Sequence, residues 1–435
     1  MKNGFLIAAP TSGSGKTTVA RGLMALFRHK GYRVQPFKCG PDYIDTKFHE
    51  RVCGRPSINL DTFMATEEHV RQLFHHYGAD ADVCIVEGMM GLFDGYDRWR
   101  GSAYEIARVL GLPVVLVVDA RSAAYSMAPL LYGFLHFRED VHIAGVIYNK
   151  VGSERHAQML RQVSDDLGVT CLGCLPKQKE LEVDGRYLGL DFSQTMGLAT
   201  DGFEQHVAWE QLLTLKCNLV EGEDSNLSPL SSLLSPREET PRKDRASCLM
   251  ARNAESFSFV YQETLDRLGN VTFFDPEKDV PCLDNIDLLY LPGGYPEKHA
   301  DALVANGACR QAIRQYALRG GHIVAECGGM MYLCQRILTD EGDYPMCGVL
   351  PYTITARKAD RRLSLGYRQF TLDGREYRGH EFHYTQFLGE MPPSACQVYD
   401  AKGQPVPTPV FRYKNVLASY THLYPCTWEW TIDNV

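Results

Sequence analysis

Two short stretches of this sequence hold residue types whose order points to chemistry. The first is Ser12-Gly13-Ser14-Gly15-Lys16-Thr17-Thr18, which follows the apolar run Phe5-Leu6-Ile7-Ala8-Ala9. Gly13 and Gly15 let backbone N–H groups close on phosphate oxygens, Lys16 adds a point charge, and the Thr17 hydroxyl can reach Mg2+. The positive end of the helix that follows favours the same anion. Strand, loop, helix is the context that makes such a loop a phosphate grip. The strict pattern has glycine five residues before Gly15, and Pro10 stands there, so the first part of the loop has to differ from that of the commonest nucleotide hydrolases.

The second stretch is "GGHIVAECGGMMYL", residues 320–333. An apolar strand runs into Cys327, two glycines permit a sharp turn, and a helix follows, which is the elbow logic of a hydrolase nucleophile with Cys in place of Ser. The helix N-terminus is expected to favour thiolate. A cysteine nucleophile needs a histidine base. His422, in "SYTHL" after the last apolar strand, is the candidate, with His380 and His383 of "GHEFHY" as competitors. "LPGGYPE" offers the N–H groups of Gly294 and Tyr295, which with the amide of Gly328 form a candidate oxyanion hole.

Acidic residues accompany the first stretch. "KCGPDYIDTKFH" brings Lys38, Asp42 and Asp45 after the second strand; "IVEGMMGLFDG" brings Glu87, then Gly88, Gly91 and Gly95. Ligands of parallel sheets sit beyond the carboxyl ends of strands. Carboxylates placed there repel a triphosphate unless Mg2+ lies in the way. Asp42 and Glu87 are therefore candidate metal ligands with Thr17, Lys38 a candidate for stabilising charge on a transferring phosphoryl group, and Asn149, at a strand end, a candidate for reading an adenine edge.

These residues need a scaffold of strands. Strand-like runs at Phe5–Ala9, 33–37, Val83–Glu87, Val114–Asp119, Ile143–Asn149 and 169–175, most of them continuously apolar, alternate with helical patterns such as 17–28 and 153–167. That rhythm predicts an α/β domain with a doubly wound parallel sheet. Residues 218–245 are rich in Ser, Pro and charge and read as a connector. A second βα series follows, with strands at 247–251, Val271–Phe274, Leu288–Leu291, 322–325 and 415–420. The division is 1–200 for a nucleotide-binding domain, 201–245 for a helix and polar linker, and 246–435 for the nucleophile domain. A chain of 435 residues, 45% hydrophobic and 23% charged, has material for two cores. A net charge of −8 argues against general nucleic-acid binding. No stretch approaches the length of a membrane span. Cys171-Leu-Gly-Cys174 has a CxxC spacing with no second pair nearby, and reads as a strand end. The fourteen cysteines fit a reducing cytosol, so a cytoplasmic enzyme is expected.

Taken together, "TSGSGKTT", "QPFKCGPDYIDTKFH", "NLDTFM", "VEGMMGLFDG", "LPGGYPE", "AECGGMMYL", "GHEFHY" and "SYTHL" resemble, in order and over nearly the whole chain, the cobyrinic acid a,c-diamide synthase family of glutamine-dependent amidotransferases. The resemblance implies an N-terminal ATP domain related to dethiobiotin synthetase and a C-terminal class I (triad) glutaminase. It implies that Lys16 and Thr17 hold ATP and Mg2+, that Asp42, Asp45 and Glu87 serve the synthetase site, that Cys327 is the nucleophile and that His422 activates it. The implied reaction amidates two acetate side chains of a corrinoid macrocycle, with ammonia passing from the glutaminase through an interdomain tunnel. Nickel-sirohydrochlorin and hydrogenobyrinic acid are alternative substrates. A nucleotide switch with an inert glutaminase-like domain is the alternative of another class, and it predicts loss of Cys327 or His422. Related folds suggest a homodimer. Glutaminases of this class carry Glu two residues after the histidine; here Tyr424 stands there, which implies a Cys–His dyad or a third member from elsewhere. "NAESFSF" and "GRYLGL" are further departures from the family's usual strings.

Overall fold

The computed structural model describes residues 3–177, 200–218 and 247–425. Nearly all of the connector and the "GRYLGL" stretch lie outside the described residues. The chain divides into two compact units, Met1–Ser231 and Ser232–Val435.

In the first unit, the described residues form a seven-stranded parallel sheet: β1 (Gly4–Ala8), β2 (Val34–Cys39), β3 (Ile58–Leu60), β4 (Val83–Glu87), β5 (Val114–Asp119), β6 (Ile143–Val151) and β7 (Cys171–Pro176). Their spatial order is β3-β2-β4-β1-β5-β6-β7. Every residue of β1, β2 and β4 is buried, which is why β1 and β4 read as near-continuous apolar runs rather than alternating ones; β2 also buries Gln35 and Lys38. β1 pairs with β4 on one side and β5 on the other, so the winding reverses at β1. A ligand crevice is expected at such a reversal, and the Gly-rich loop leaves β1 there.

Helix α1 (Lys16–His29) follows that loop, and α2 (Ile44–Cys53) follows β2. Residues 200–218, which the sequence suggests as the start of the connector, pack on the first unit. The Phe203 ring sits where a Cβ on Gly22 of α1 would fall, 2.2 Å from its Cζ, so only glycine allows this approach. Phe203, Val207 and Leu212 join Leu23, Phe27 and the β1 side chains in one core.

In the second unit, β8 (Cys248–Ala251), β9 (Val271–Phe274), β10 (Leu288–Leu291) and β11 (Ile323–Glu326) build a six-stranded sheet with Val416–Ser419 and Val410–Tyr413. All pairings are parallel except that of Val410–Tyr413 with Val416–Ser419. Alternate residues of these strands face opposite cores. Leu289, Leu291, Ile323 and Ala325 meet the helical residues Ile313, Tyr316 and Met330. Tyr290, Val324 and Leu417 meet Phe370, Leu372 and Tyr377 of a second, antiparallel sheet. That sheet contains Ser364–Leu372, Arg375–His383 and the two-residue strand His422–Leu423.

Candidate active sites

The Gly-rich loop is held open by its neighbours. Gly13 and Gly15 have φ of 79° and 96°, left-handed values that glycine adopts without strain. The carbonyl of Gly13 accepts from Lys150 Nζ at 3.2 Å, and that of Ser14 from Asn149 Nδ2 at 3.0 Å. In a trans peptide the next N–H points the opposite way, so the Ser14 and Gly15 amides turn away from β6. A Cβ on Gly15 would lie 2.2 Å from Asn149 Nδ2, whereas one on Gly13 would enter open space. No side chain caps α1, unlike the helices capped by Thr66, Ser102 and Ser153. Its first-turn N–H groups are thus available to an anion. Ser12 is exposed at the tip, and Thr18 follows Thr17 in the first turn. The Pro10 carbonyl packs 2.7 Å from where a Cβ on Gly91 would lie, so the "GMMGLFDG" loop braces the unusual start of the phosphate grip.

Below the loop is an array of buried charges. Thr17 donates to Glu87 Oε1 at 2.6 Å. Lys38 Nζ lies 2.6 Å from Asp45 Oδ2 and 3.0 Å from Glu87 Oε1. His49 Nε2 lies 2.7 Å from Glu87 Oε2, and its Nδ1 is 3.0 Å from Ser57 Oγ. Burial opposes the Lys38 charge, but Asp45 and Glu87 outweigh it and hold the ammonium protonated well above its ordinary range. Burial likewise opposes the Glu87 charge, and Lys38 and His49 outweigh it, so Glu87 stays ionised well below the usual carboxylate range. Asp45 goes the other way: burial, then Glu87, push it up to about 6. Burial, then Lys38, lower Lys16; among the described residues no carboxylate pairs with its ammonium. Asp42 caps α2, its Oδ1 accepting from Ile44 and Asp45 N–H at 2.8 Å each. Asn59 of "NLDTFM" ties that turn down through the Gly40 and Asp42 carbonyls.

In the second unit, Cys327 sits between β11 and the helix Gly328–Leu333 with φ 46° and ψ −107°, the strained backbone expected of an elbow. A Cβ on Gly329 would lie 2.0 Å from the Leu291 carbonyl, and one on Gly328 2.7 Å from that of Gly294, which is why two glycines must follow the nucleophile. The Cys327 N–H donates to Ser419 at 2.8 Å, and the Gly328 N–H reaches back to the Cys327 sulfur. The His422 ring packs over Gly293, at the head of the "GGYPE" turn, where a Cβ would lie 2.2 Å from its Cε1. Cys327 and His422 therefore converge on the same end of the sheet, both buried.

Of the competing histidines, His380 stacks on the His422 ring at 4.9 Å, behind the candidate base. His380 Nδ1 lies 2.8 Å from the Tyr261 hydroxyl, and His383 stacks on Tyr420 at 3.7 Å. Tyr424 is buried against Tyr261. Burial lowers His422 to about 3 and raises the Cys327 thiol, helped by Glu297 and Glu381. The thiolate expected from the helix end is thus not the resting form: burial outweighs the one Gly328 N–H. A second correction concerns Tyr295, whose N–H donates to the Glu255 carbonyl at 3.1 Å. Gly294 and Gly328 remain as candidate oxyanion donors.

Residues 5–188 match a family model described as a CobQ/CobB/MinD/ParA nucleotide binding domain, and residues 253–426 one described as a CobB/CobQ-like glutamine amidotransferase domain. A cobyrinate a,c-diamide synthase from Caldanaerobacter subterraneus subsp. tengcongensis is 37% identical over 440 residues, 98% of this chain and 96% of that protein. A hydrogenobyrinate a,c-diamide synthase from Brucella anthropi is 36% identical over 440 residues, 97% of this chain and 98% of that one. The chain belongs to the a,c-diamide synthase family. It is an amide-forming ligase, with a nucleotide-binding domain in its first half and a glutamine amidotransferase domain in its second.

The sequence points to the loops that build both candidate sites, and several partners within them come only from the fold. Asn149, suggested for an adenine edge, reaches the loop, but its amide is engaged with Ser14 and with the Lys150 N–H. His49 and Arg21, which approaches Asp45 at 3.4 Å, were missed. The signal was helical spacing: His49 is four residues from Asp45 on α2, and Arg21 four from Thr17 on α1. Asp119 and Lys150, paired at 3.0 Å beside the loop, carry no motif. Glu326 stands next to Cys327 and belongs to no motif of its own. A carboxylate ending an apolar buried strand must have polar company.

Proposed function

We propose that the enzyme amidates the a- and c-acetate side chains of cobyrinic acid, with ATP and glutamine as co-substrates, in cobalamin biosynthesis. The single observation that carries this is one chain with both an uncapped phosphate loop and a buried cysteine elbow, related over 98% of its length to a protein named for that substrate. A carboxylate is a poor electrophile because oxide would have to leave. Transfer of the ATP γ-phosphoryl to it gives an acyl phosphate and ADP. Ammonia then attacks the acyl carbon, the C–O bond to phosphate breaks, and amide and inorganic phosphate result. Lys16 and the loop amides hold the phosphates, and Lys38, kept charged by Asp45 and Glu87, stabilises the transferring group. Among the described residues no three His, Cys, Asp or Glu form a metal cage. The hard oxygens of Thr17, Glu87 and Asp42 suit Mg2+, which takes most of its ligands from phosphate and water; bound there it would neutralise phosphate charge.

The nitrogen comes from glutamine. His422 Nε2 takes the Cys327 proton, the thiolate attacks the side-chain amide carbon, and Gly294 and Gly328 N–H groups support the oxyanion. The C–N bond breaks, ammonia leaves with the proton from His422, and water cleaves the thioester to glutamate. A second reading, hydrogenobyrinate as substrate, is favoured by relatives such as that of Brucella anthropi. A panel of cobyrinate, hydrogenobyrinate and nickel-sirohydrochlorin, each with ATP, Mg2+ and glutamine and read by product mass, decides it. Cobyrinate is expected to give the diamide with the highest kcat/KM. Turnover of nickel-sirohydrochlorin alone would overturn the assignment to corrinoids.

A further inference from the structure

We propose that Glu326 positions His422 for proton transfer, filling the role that Tyr424 cannot. The inference rests on the reading of Cys327 and His422 as nucleophile and base.

Glu326 closes β11 and points to the Val324 face, into the core that contains Tyr290, Leu417 and Leu423, while Cys327 belongs to the opposite core. The residue is 2% exposed. Oε1 accepts the Leu423 N–H at 3.1 Å, and the Tyr290 hydroxyl also donates to the carboxylate. Oε2 lies 3.8 Å from His422 Nδ1. Leu423 follows His422 in the chain, so one backbone hydrogen bond fixes the carboxylate against the ring it faces.

A histidine that takes a proton at Nε2 must carry one at Nδ1, and the buried imidazolium that forms needs a counter-charge. Glu326 meets both needs on the Nδ1 side. The separation is longer than a hydrogen bond, and catalytic contacts of this kind tighten when substrate binds. The other candidates are committed. Glu381 pairs with Arg368 at 3.0 Å and accepts from Thr421 at 3.1 Å. Tyr424 has no acid to offer at this pH and packs on Tyr261. Burial raises Glu326 to about 8, and a positive ring beside it favours its ionised form.

Glu326→Gln keeps the shape and an acceptor for Leu423. Its kcat for glutamine hydrolysis should fall about 10²-fold while KM for glutamine stays within about twofold. Amidation driven by added ammonium salt is the control for folding of the rest of the chain. In a His422→Ala background the same change should cost nothing further, because it acts only through that ring. Glu326→Asp, which keeps the charge, should recover at least part of the loss. An unchanged kcat in Glu326→Gln, a multiplicative loss in the double variant, or equal damage from Asp and Gln would overturn the proposal. Full glutamine turnover in His422→Ala would instead sink the reading beneath it.

Discussion

The two sites of this chain solve opposite electrostatic problems. At the Gly-rich loop the working groups are charged and kept so by one another: Lys38 is held protonated and Glu87 ionised despite full burial. At the elbow the working groups are neutral and kept so by burial: the Cys327 thiol is raised and His422 lowered to about 3. The difference follows the substrates. A site for phosphates and a carboxylate must present fixed charge that needs no rearrangement when anions arrive. A site for an uncharged amide can hide its nucleophile as a thiol until the substrate itself displaces water. The first arrangement is costly to break at any one residue. The second tolerates neutral replacement in the fold while losing all chemistry.

The largest expected effect separates the two directly. Cys327→Ser should lower glutamine-driven amidation by at least about 10³-fold, yet leave amidation with high ammonium near the wild-type rate. Lys16→Ala should do the reverse, abolishing amidation from either nitrogen source while glutamine hydrolysis partly survives. Steady-state assays of glutamate and ADP formation read both. Loss of ammonium-driven activity in Cys327→Ser would show that the two sites are not divided in this way.

The next effect is on stability. Glu87→Gln removes the carboxylate shared by Thr17, Lys38 and His49, leaving Lys38 with Asp45 alone. Breaking a buried pair from one side costs about 3–5 kcal/mol, whereas Cys327→Ser removes no charge and should cost about 1 kcal/mol or less. Pulse proteolysis in urea, with peptides of each unit resolved by mass, measures both. A Glu87→Gln first unit as stable as wild type would mean the array is solvated and the contrast is overdrawn.

What the sequence could tell about these sites follows the same division. The candidate phosphate loop, Glu87 and Cys327 could be picked out because each sits at a strand end with glycines beside it, and β4, β5, β9 and β10 have the ends expected of them. β3 could not be picked out, since three residues at a sheet edge have no period to read. The cross-links could not either. That His49 meets Glu87 depends on which face α2 turns to the sheet, and that Tyr295 N–H is spent on Glu255 depends on a loop closing from forty residues away. The protonation state of Cys327 is hidden for a related reason: sequence shows the helix end beside it, but not how completely the fold excludes water. Phe203 is a similar case. Its segment looks like connector, and only its seat on Gly22 shows that it belongs to the first core.

The smallest effect is a pH slope, and it tests whether burial alone sets the second site. Glu326 titrates at about 8 in the folded protein against an ordinary value of 4.5. Between those limits the folded state holds the extra proton, so stability falls as pH rises. His422, at about 3 against 6.5, acts in the opposite sense: the unfolded state holds the extra proton and stability rises with pH. From pH 4.5 to 6.5 the two offset each other, and His380, which burial also holds well below its ordinary value, adds a rise of its own. From 6.5 to 8 only Glu326 remains, and the second unit should lose on the order of 1 kcal/mol per pH unit. Asp45, at about 6, has largely titrated by then, and Cys171, lowered to about 7 from an ordinary 9 by its contact with Cys174, makes the first unit gain stability above about pH 7, opposite in sign to the second. Glu326→Gln should flatten the second unit. A slope that persists in Glu326→Gln would assign it to another group. A flat wild-type profile would mean that the pairing with His422 already holds Glu326 ionised at rest, which would move the second site toward the charged design of the first.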